Sequence, residues 1–294
     1  MLTLEELAEL LEKHRATANV PVKEFAIGGK FFTFNSRSTI MGVVNLSPDS
    51  WYRESVCLTA DQAFQRAKVL NAQGADVIDL GAESTLAHAA PVDETIQHTK
   101  LLPVLKALRT ENILVSVETY SPKVTRVCLE AGANIVNLTG SENAEMYRLV
   151  AAHDAAVIIC YVQGPNVREV GDFPFSDDPI AMMYHFFAHQ IETATQRGVQ
   201  RIFLDPGLGF YYRNLQDSAV RVRHQMTVFL SAFRLRPLGF PICNALPHAF
   251  EYFGEEVRCA EPFFAVLAAL GKTNLFRTHE VSRIKAVLDT LKIY

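Results

Sequence analysis

Short apolar runs rich in branched residues recur along this chain, and segments of helical period follow them. After residue 38 the runs are TIMGVV (39–44), DVIDL (76–80), ILVSV (113–117), NIVNL (134–138), AVIICY (156–161), RIFLD (201–205), FPICN (240–244) and NLFR (274–277). Strands that read as nearly continuous apolar runs belong to parallel sheets buried on both faces. Eight of them, each trailed by a helix, predict an α/β architecture of the (β/α)8 TIM-barrel kind. A doubly wound open sheet shares the periodicity, but no G-x-G-x-x-G follows the first run, which weakens that alternative.

Local signals place the helices. Thr59-Ala60-Asp61-Gln62 is a capping box that opens a helix to about Ala72, and Gly74 terminates it. Another helix spans residues 93–109. Ser121-Pro122 supplies an N-cap with proline in the first turn, so a third runs to Glu130, with Gly132 at its end. Others begin near Asn143, Pro179, Leu215, Glu261 and Val281. Ahead of the alternation, residues 2–13 read as an amphipathic helix and residues 23–34 as a hairpin turning at Gly28-Gly29. The expectation is one domain over residues 1–294, with residues 1–38 as an N-terminal helix and hairpin cap.

Composition narrows the partners. A net charge of -4 argues against nucleic acid or a membrane surface as the main partner. The five cysteines are scattered without metal-ligand spacing, as expected in a reducing cytoplasm, and the acidic amino terminus is unlike a signal peptide.

In a barrel, groups just past each strand converge on one mouth. Here they are Asn45, Glu83 with Thr85, Glu118 with Thr119, Asn137, Tyr161 with Gln163, Asp205, Asn244, and Arg277 with His279. Inward amides and carboxylates match the alternating donors and acceptors of a neutral heterocycle. Arg277 and His279 suit a phosphate or carboxylate. The set predicts a heterocycle with an anionic arm. Each member also has a plain structural reading. Asp205-Pro206-Gly207 is a turn sequence, Glu118 could face a helix dipole, Arg277 could pair with Glu280 at the rim, and Phe210, Tyr211 and Tyr212 could be core.

Six ordered motifs, IMGVVNLSPDS (40–50), GADVIDLGAEST (74–85), VSVET (115–119), AGANIVN (131–137), LDPGLGF (204–210) and FRTHEV (276–281), make the chain resemble dihydropteroate synthase, the pterin-binding barrel enzyme of folate synthesis. The resemblance implies a homodimeric transferase that joins a pterin-methyl diphosphate to 4-aminobenzoate with Mg2+. It implies that Glu118, Asn137 and Asp205 hold the pterin and that Asn45 stands near the diphosphate and its metal. Arg277 and His279 would hold the diphosphate, with Thr85, Phe210 and Asn244 completing the substrate site. Asn45, Asp205, Arg277 and His279 would be the reacting set. The chain departs from the family's pattern at five places. Glu118 replaces the family's aspartate, and Trp51-Tyr52-Arg53-Glu54 stands in the first loop where the family prefers Ser-Asp-Gly-Gly. Thr85 is followed by Leu86-Ala87-His88, without the family's loop arginine. Leu246-Pro247-His248-Ala249 replaces the segment with the pterin-contacting lysine, leaving Arg53 or His248 as substitute cations. The fifth strand ends in Cys160-Tyr161 instead of Met-His. Two alternatives follow: a noncatalytic pterin-binding protein, and a methyltransferase of the kind that uses methyltetrahydrofolate.

Overall fold

The computed structural model describes residues 2–47, 49, 52, 55–84, 92–141, 144–173, 176, 178–210, 212 and 214–293. The chain opens on a helix, α1 (Leu4–Lys13), capped by Thr3. A hairpin, β1 (Phe25–Ile27) and β2 (Lys30–Phe32), then precedes eight parallel strands: β3 (Thr39–Asn45), β4 (Val77–Gly81), β5 (Val115–Thr119), β6 (Ile135–Leu138), β7 (Ala156–Cys160), β8 (Arg201–Asp205), β9 (Cys243–Ala245) and β10 (Leu275–Thr278). Their spatial order is β8-β7-β6-β5-β4-β3-β10-β9, and a bridge from Leu204 to Ile242 joins the two ends into a barrel.

The outer helices are α3 (Ala60–Ala72), α4 (Glu94–Thr110), α5 (Pro122–Glu130), α6 (Ala144–Ala152), α7 (Pro179–Gln196), α8 (Ser218–Ser231), α10 (Ala260–Leu270) and α11 (Val281–Leu291). Thr59 caps α3 through the expected reciprocal box with Gln62, and Ser121 caps α5 with Pro122 in its first turn. Among the described residues four short helical pieces carry no sequence signal: α2 (Arg15–Ala18), α9 (Phe250–Phe253) and 3-10 turns over Ala232–Leu238 and Gly254–Cys259. They are too short for a periodicity to register. The seventh barrel strand also begins later than residues 240–244 suggest. Pro241 has no N–H to give to a ladder, so the paired strand starts at Cys243.

Side chains alternate strictly across the wall. Ile40, Val44, Ile78, Leu80, Val117, Val136, Ile159, Leu204 and Phe276 point outward and pack with the helices in the larger core. Met41, Val77, Ile135, Ile158, Phe203, Cys243 and Leu275 point inward and form a second core with Val22, Ile27, Phe32 and Phe34. The hairpin is therefore a plug, with Phe25 and Phe34 edge-on to Phe203 at 5.4 and 5.3 Å. Gly28 and Gly29 (φ 54° and 86°) supply the two left-handed residues its turn demands. Among the described residues the apolar layer fills this end of the barrel, and the cavity lies at the carboxyl ends of the strands. No helix among the described residues is long and apolar enough to cross a membrane, and all five cysteines are free thiols.

Candidate active site

Above the apolar layer the same inward alternation delivers Asn45 from β3, Asp79 from β4, Glu118 from β5, Asn137 from β6, Asp205 from β8 and Arg277 from β10. Hydrogen-bonded registers bring Gly81, Glu118 and Asn137 level across β4, β5 and β6, and Cys160 level with Asp205. Gly81 carries no side chain at this height. A Cβ there would touch Glu118 Oε2 at 3.6 Å and Asn45 Oδ1 at 3.7 Å, so the glycine keeps the mouth open. The resulting cavity, about 1020 Å³ including its open entrance, is lined by Asn45, Glu83, Glu118, Asn137, Asp205, Phe210, His248, Arg277 and His279 among others.

Arg277 is at the centre of the charge network. Its Nε donates to Asp79 Oδ2 at 2.7 Å and its Nη2 donates to Glu118. Asn137 Nδ2 donates to the same Asp79 oxygen at 3.1 Å. Neither a rim pair with Glu280 nor a helix-dipole role for Glu118 describes these residues. Glu280 is instead the partner of Arg258, at 2.6 Å, and of Arg283. Asp79 is the member that strand ends alone do not reveal. An acid in the middle of a strand buried on both faces needs a buried partner, and that is the available signal.

Burial pushes the Glu118 carboxyl up to about 7, with the carboxylates of Asp79, Asp205 and Glu83 adding to it and Arg277 pulling the other way. Asp205 rises to about 6 for the same first reason, although Gly207 N–H, 2.8 Å from Oδ1, and Arg277 oppose the shift. Near neutrality this pair can therefore accept or donate, which suits a heterocycle edge presenting both kinds of group.

Other candidates fall elsewhere. Asn244 sits on the outward phase of β9, fully buried, with Nδ2 donating to Thr273 Oγ1 at 2.6 Å. A strand end misplaced by one residue puts it at the mouth in the sequence, and that step is a full change of face. Tyr161 also faces outward, 5.0 Å from the Phe186 ring, and its hydroxyl accepts from Gln163 Nε2 at 2.5 Å; Thr119 Oγ1 accepts from Ser121 N–H. Tyr212 is core. His248 is no surface residue: its side chain is 11% exposed, lines the cavity and stacks on Tyr52 at 4.9 Å. Thr85, Arg53, Tyr211 and the 86–88 segment lie outside the described residues.

A second loop layer ties the mouth together. Glu83 Oε1 accepts from Val92 N–H at 2.9 Å and pairs with Arg168 at 3.4 Å, and Arg168 Nη1 donates to Ser84 carbonyl oxygen at 3.0 Å.

A closed β/α barrel with a sealed floor and inward amides and carboxylates at its mouth is the architecture of a barrel enzyme for a polar heterocycle. The pterin binding enzyme family model matches residues 41–237. Dihydropteroate synthase of Streptococcus pyogenes is 30% identical over 276 residues, covering 88% of this chain and 98% of its own, and that of Synechocystis is 29% identical over 281 residues, covering 90% and 94%. Among solved structures, the Xanthomonas albilineans dihydropteroate synthase with 4-aminobenzoic acid superposes with a TM-score of 0.77 at 26% identity, covering 92% of this chain and 98% of that one. The Thermus thermophilus enzyme with 4-aminobenzoate gives 0.76 at 26% identity, with 92% and 99% covered. The chain belongs to the pterin-binding enzyme family, among the dihydropteroate synthases.

Proposed function

We propose that the chain is a dihydropteroate synthase-type transferase of folate biosynthesis, acting in the cytoplasm as a homodimer on a pterin-methyl diphosphate and 4-aminobenzoate. The observation that carries this reading is the inward ring of Glu118, Asn137 and Asp205 over a closed floor. Asp205 and Glu118 accept from the ring's amino and N–H groups, Asn137 supplies both a donor and an acceptor, and Phe210 flanks the ring plane. Binding here leaves the ring's methyl carbon toward the open mouth. The C–O bond to diphosphate breaks, and the leaving group takes the electron pair. The 4-aminobenzoate nitrogen forms the new C–N bond and gives up one proton to the departing diphosphate or to water. Exclusion of water by the packed pocket protects the exposed carbon from hydrolysis.

Mg2+ takes oxygen ligands, few of them from protein when a substrate phosphate is present. Asn45 fits that need: it lines the cavity, its Nδ2 donates to Ser55 Oγ at 2.6 Å, and its oxygen lies 3.7 Å from where a Cβ on Gly81 would stand. When bound, the ion supplies positive charge to the departing diphosphate.

Two observations favour a second reading, pterin binding without turnover. Arg277 is committed to two carboxylates, and Leu246-Pro247-His248-Ala249 replaces the segment with the family's lysine. Purified protein given pterin diphosphate, 4-aminobenzoate and Mg2+ should form product, and Asp205→Ala should not. Calorimetric binding without product supports the second reading, and no binding with Mg2+ present overturns both.

A further inference from the structure

Positive charge is scarce where an anion would lie. Among the described lining residues Glu83, Glu118 and Asp205 bring three carboxylates against the one guanidinium of Arg277, which already serves Asp79 and Glu118. Beside that end stand three side chains from three separate elements: His248 from the loop after β9, Glu261 from the first turn of α10, and His279 just past β10. His279 Nδ1 is 2.8 Å from Glu261 Oε1, and His248 Nε2 is 3.3 Å from the same oxygen. The nearest donor atoms of the three all lie within 4.8 Å of one another.

The surroundings hold these groups in place. Glu261, with a side chain 0% exposed, has its Oε2 fixed by the Thr278 hydroxyl and by the backbone N–H of His279 at 3.0 Å and of Glu280 at 3.2 Å. Its Oε1 is thereby aimed at the histidines. The His248 ring lies between Tyr52 (4.9 Å, 16°) and Phe250 (5.2 Å, 23°). Its Nε2 is buried and makes no hydrogen bond of acceptable geometry. A buried nitrogen held rigidly and left without a hydrogen bond is costly unless something else completes it.

We propose that His248, Glu261 and His279 form a binding site for a divalent transition-metal ion of the zinc type, with its open position toward the cavity for an anionic oxygen. Two imidazoles and one carboxylate suit zinc and its first-row neighbours and are poorly matched to Mg2+. Zinc held at about 2.0–2.2 Å places tetrahedral ligands roughly 3.3–3.6 Å apart, so the observed spacing requires shifts of about 1 Å or less. Three protein ligands with a fourth position open is the arrangement of sites that take an exogenous oxygen. The metal displaces the proton between His279 and Glu261, and the Glu261 Oε2 contacts orient its ligand oxygen from behind. Such an ion places positive charge at the cavity's deficient end. The site stands on its own geometry, independent of the pterin reading.

The test uses the full chain, freed of metal by a chelator and titrated with Zn2+ alone. One equivalent should bind, and His248→Ala and His279→Ala should each weaken binding at least about tenfold. Cys259→Ser, which removes the only cysteine that is not buried, should leave binding unchanged. Co2+ in place of Zn2+ should give the visible bands of a four- or five-coordinate site, lost in His248→Ala. Glu261 also holds backbone N–H groups, so the histidine variants, checked for native circular dichroism, carry the result. Failure of the wild type to bind one equivalent overturns the proposal. So does undiminished binding in folded His248→Ala, which would leave the two rings as packed supports around Glu261. Neither outcome bears on pterin binding, which is measured without zinc.

Discussion

Arg277 Nε donates to Asp79 Oδ2 at 2.7 Å inside the barrel, between side chains 15% and 0% exposed. The arginine at the end of the last strand is thus first a partner for acids. Removing one member of a buried pair costs about 3–5 kcal/mol, because the other is left charged and uncompensated. Glu118 still faces Arg277 when Asp79 is gone, so Asp79→Ala should lower the urea unfolding free energy by about 3 kcal/mol. Asp79→Leu with Arg277→Met should cost less than the sum of the single changes, since residues in one network couple. Strict additivity would show that the pair is not a unit.

Stability of the ligand-free protein should fall as pH rises from about 4.5 to 7. Glu118 and Asp205 have folded pKa values raised to about 7 and about 6. Each group's contribution is fully present below its ordinary carboxyl pKa and lost as pH passes the raised value. For Glu118 the loss is on the order of 3 kcal/mol at 1.36 kcal/mol per pKa unit. Glu261 runs the other way. Burial alone would raise it, but the imidazoles of His248 and His279 facing its carboxylate hold it far below the usual carboxylate range, so its contribution fades only at acid pH. Pterin N–H donors favour the ionised acids, and binding near pH 6.5 should release protons. Calorimetry in two buffers of different ionisation enthalpy reads that release; equal heats in both would refute it.

Gly207 tests the link between turn and site. Its φ is 76°, a Cβ would lie 2.3 Å from Tyr161 carbonyl oxygen, and its N–H holds Asp205 Oδ1. Gly207→Ala should cost several kcal/mol, the strain of about 1–3 kcal/mol plus the clash, and should weaken pterin binding as Asp205 shifts. Gly29→Ala has a similar φ of 86° with nothing within 4 Å, far from the mouth. It should cost about 1 kcal/mol and leave pterin affinity unchanged. Equal thermal shifts in the two variants would mean that strain alone, not the contact with Tyr161, fixes this turn.

Much of the barrel and part of its mouth are legible in the residues themselves. The caps at Thr59 and Ser121 fix helix starts through local hydrogen bonds, so residue identity alone places them. The repeated buried runs set the strand count, and Glu118, Asn137, Asp205 and Arg277 stand at the mouth because strand ends in this architecture converge. The phase of each strand is harder to read. A run apolar on both faces carries no alternation to say which residues look inward, so Asp79 escapes notice and Asn244 falls on the wrong side of the wall. Nor can spacing reveal His248 against Glu261. Twelve residues lie between them, and the intervening α9 and 3-10 turn are too short to show a period.

Asn137 and Asn244 give the cleanest check on that phase. Both are buried strand amides, yet Asn137 lines the cavity and Asn244 reaches away to Thr273. Asn137→Ala should weaken pterin binding by tenfold or more, since one lost hydrogen bond to a ligand is worth about 1.4 kcal/mol. Asn244→Ala removes the donor to Thr273 and opens a small void outside the barrel, so it should lower the unfolding free energy by about 1–3 kcal/mol and leave pterin affinity within about twofold. Titration of each folded variant with the pterin ligand separates the two. A tenfold loss in Asn244→Ala would place its side chain in the mouth and overturn the outward phase of this residue on β9.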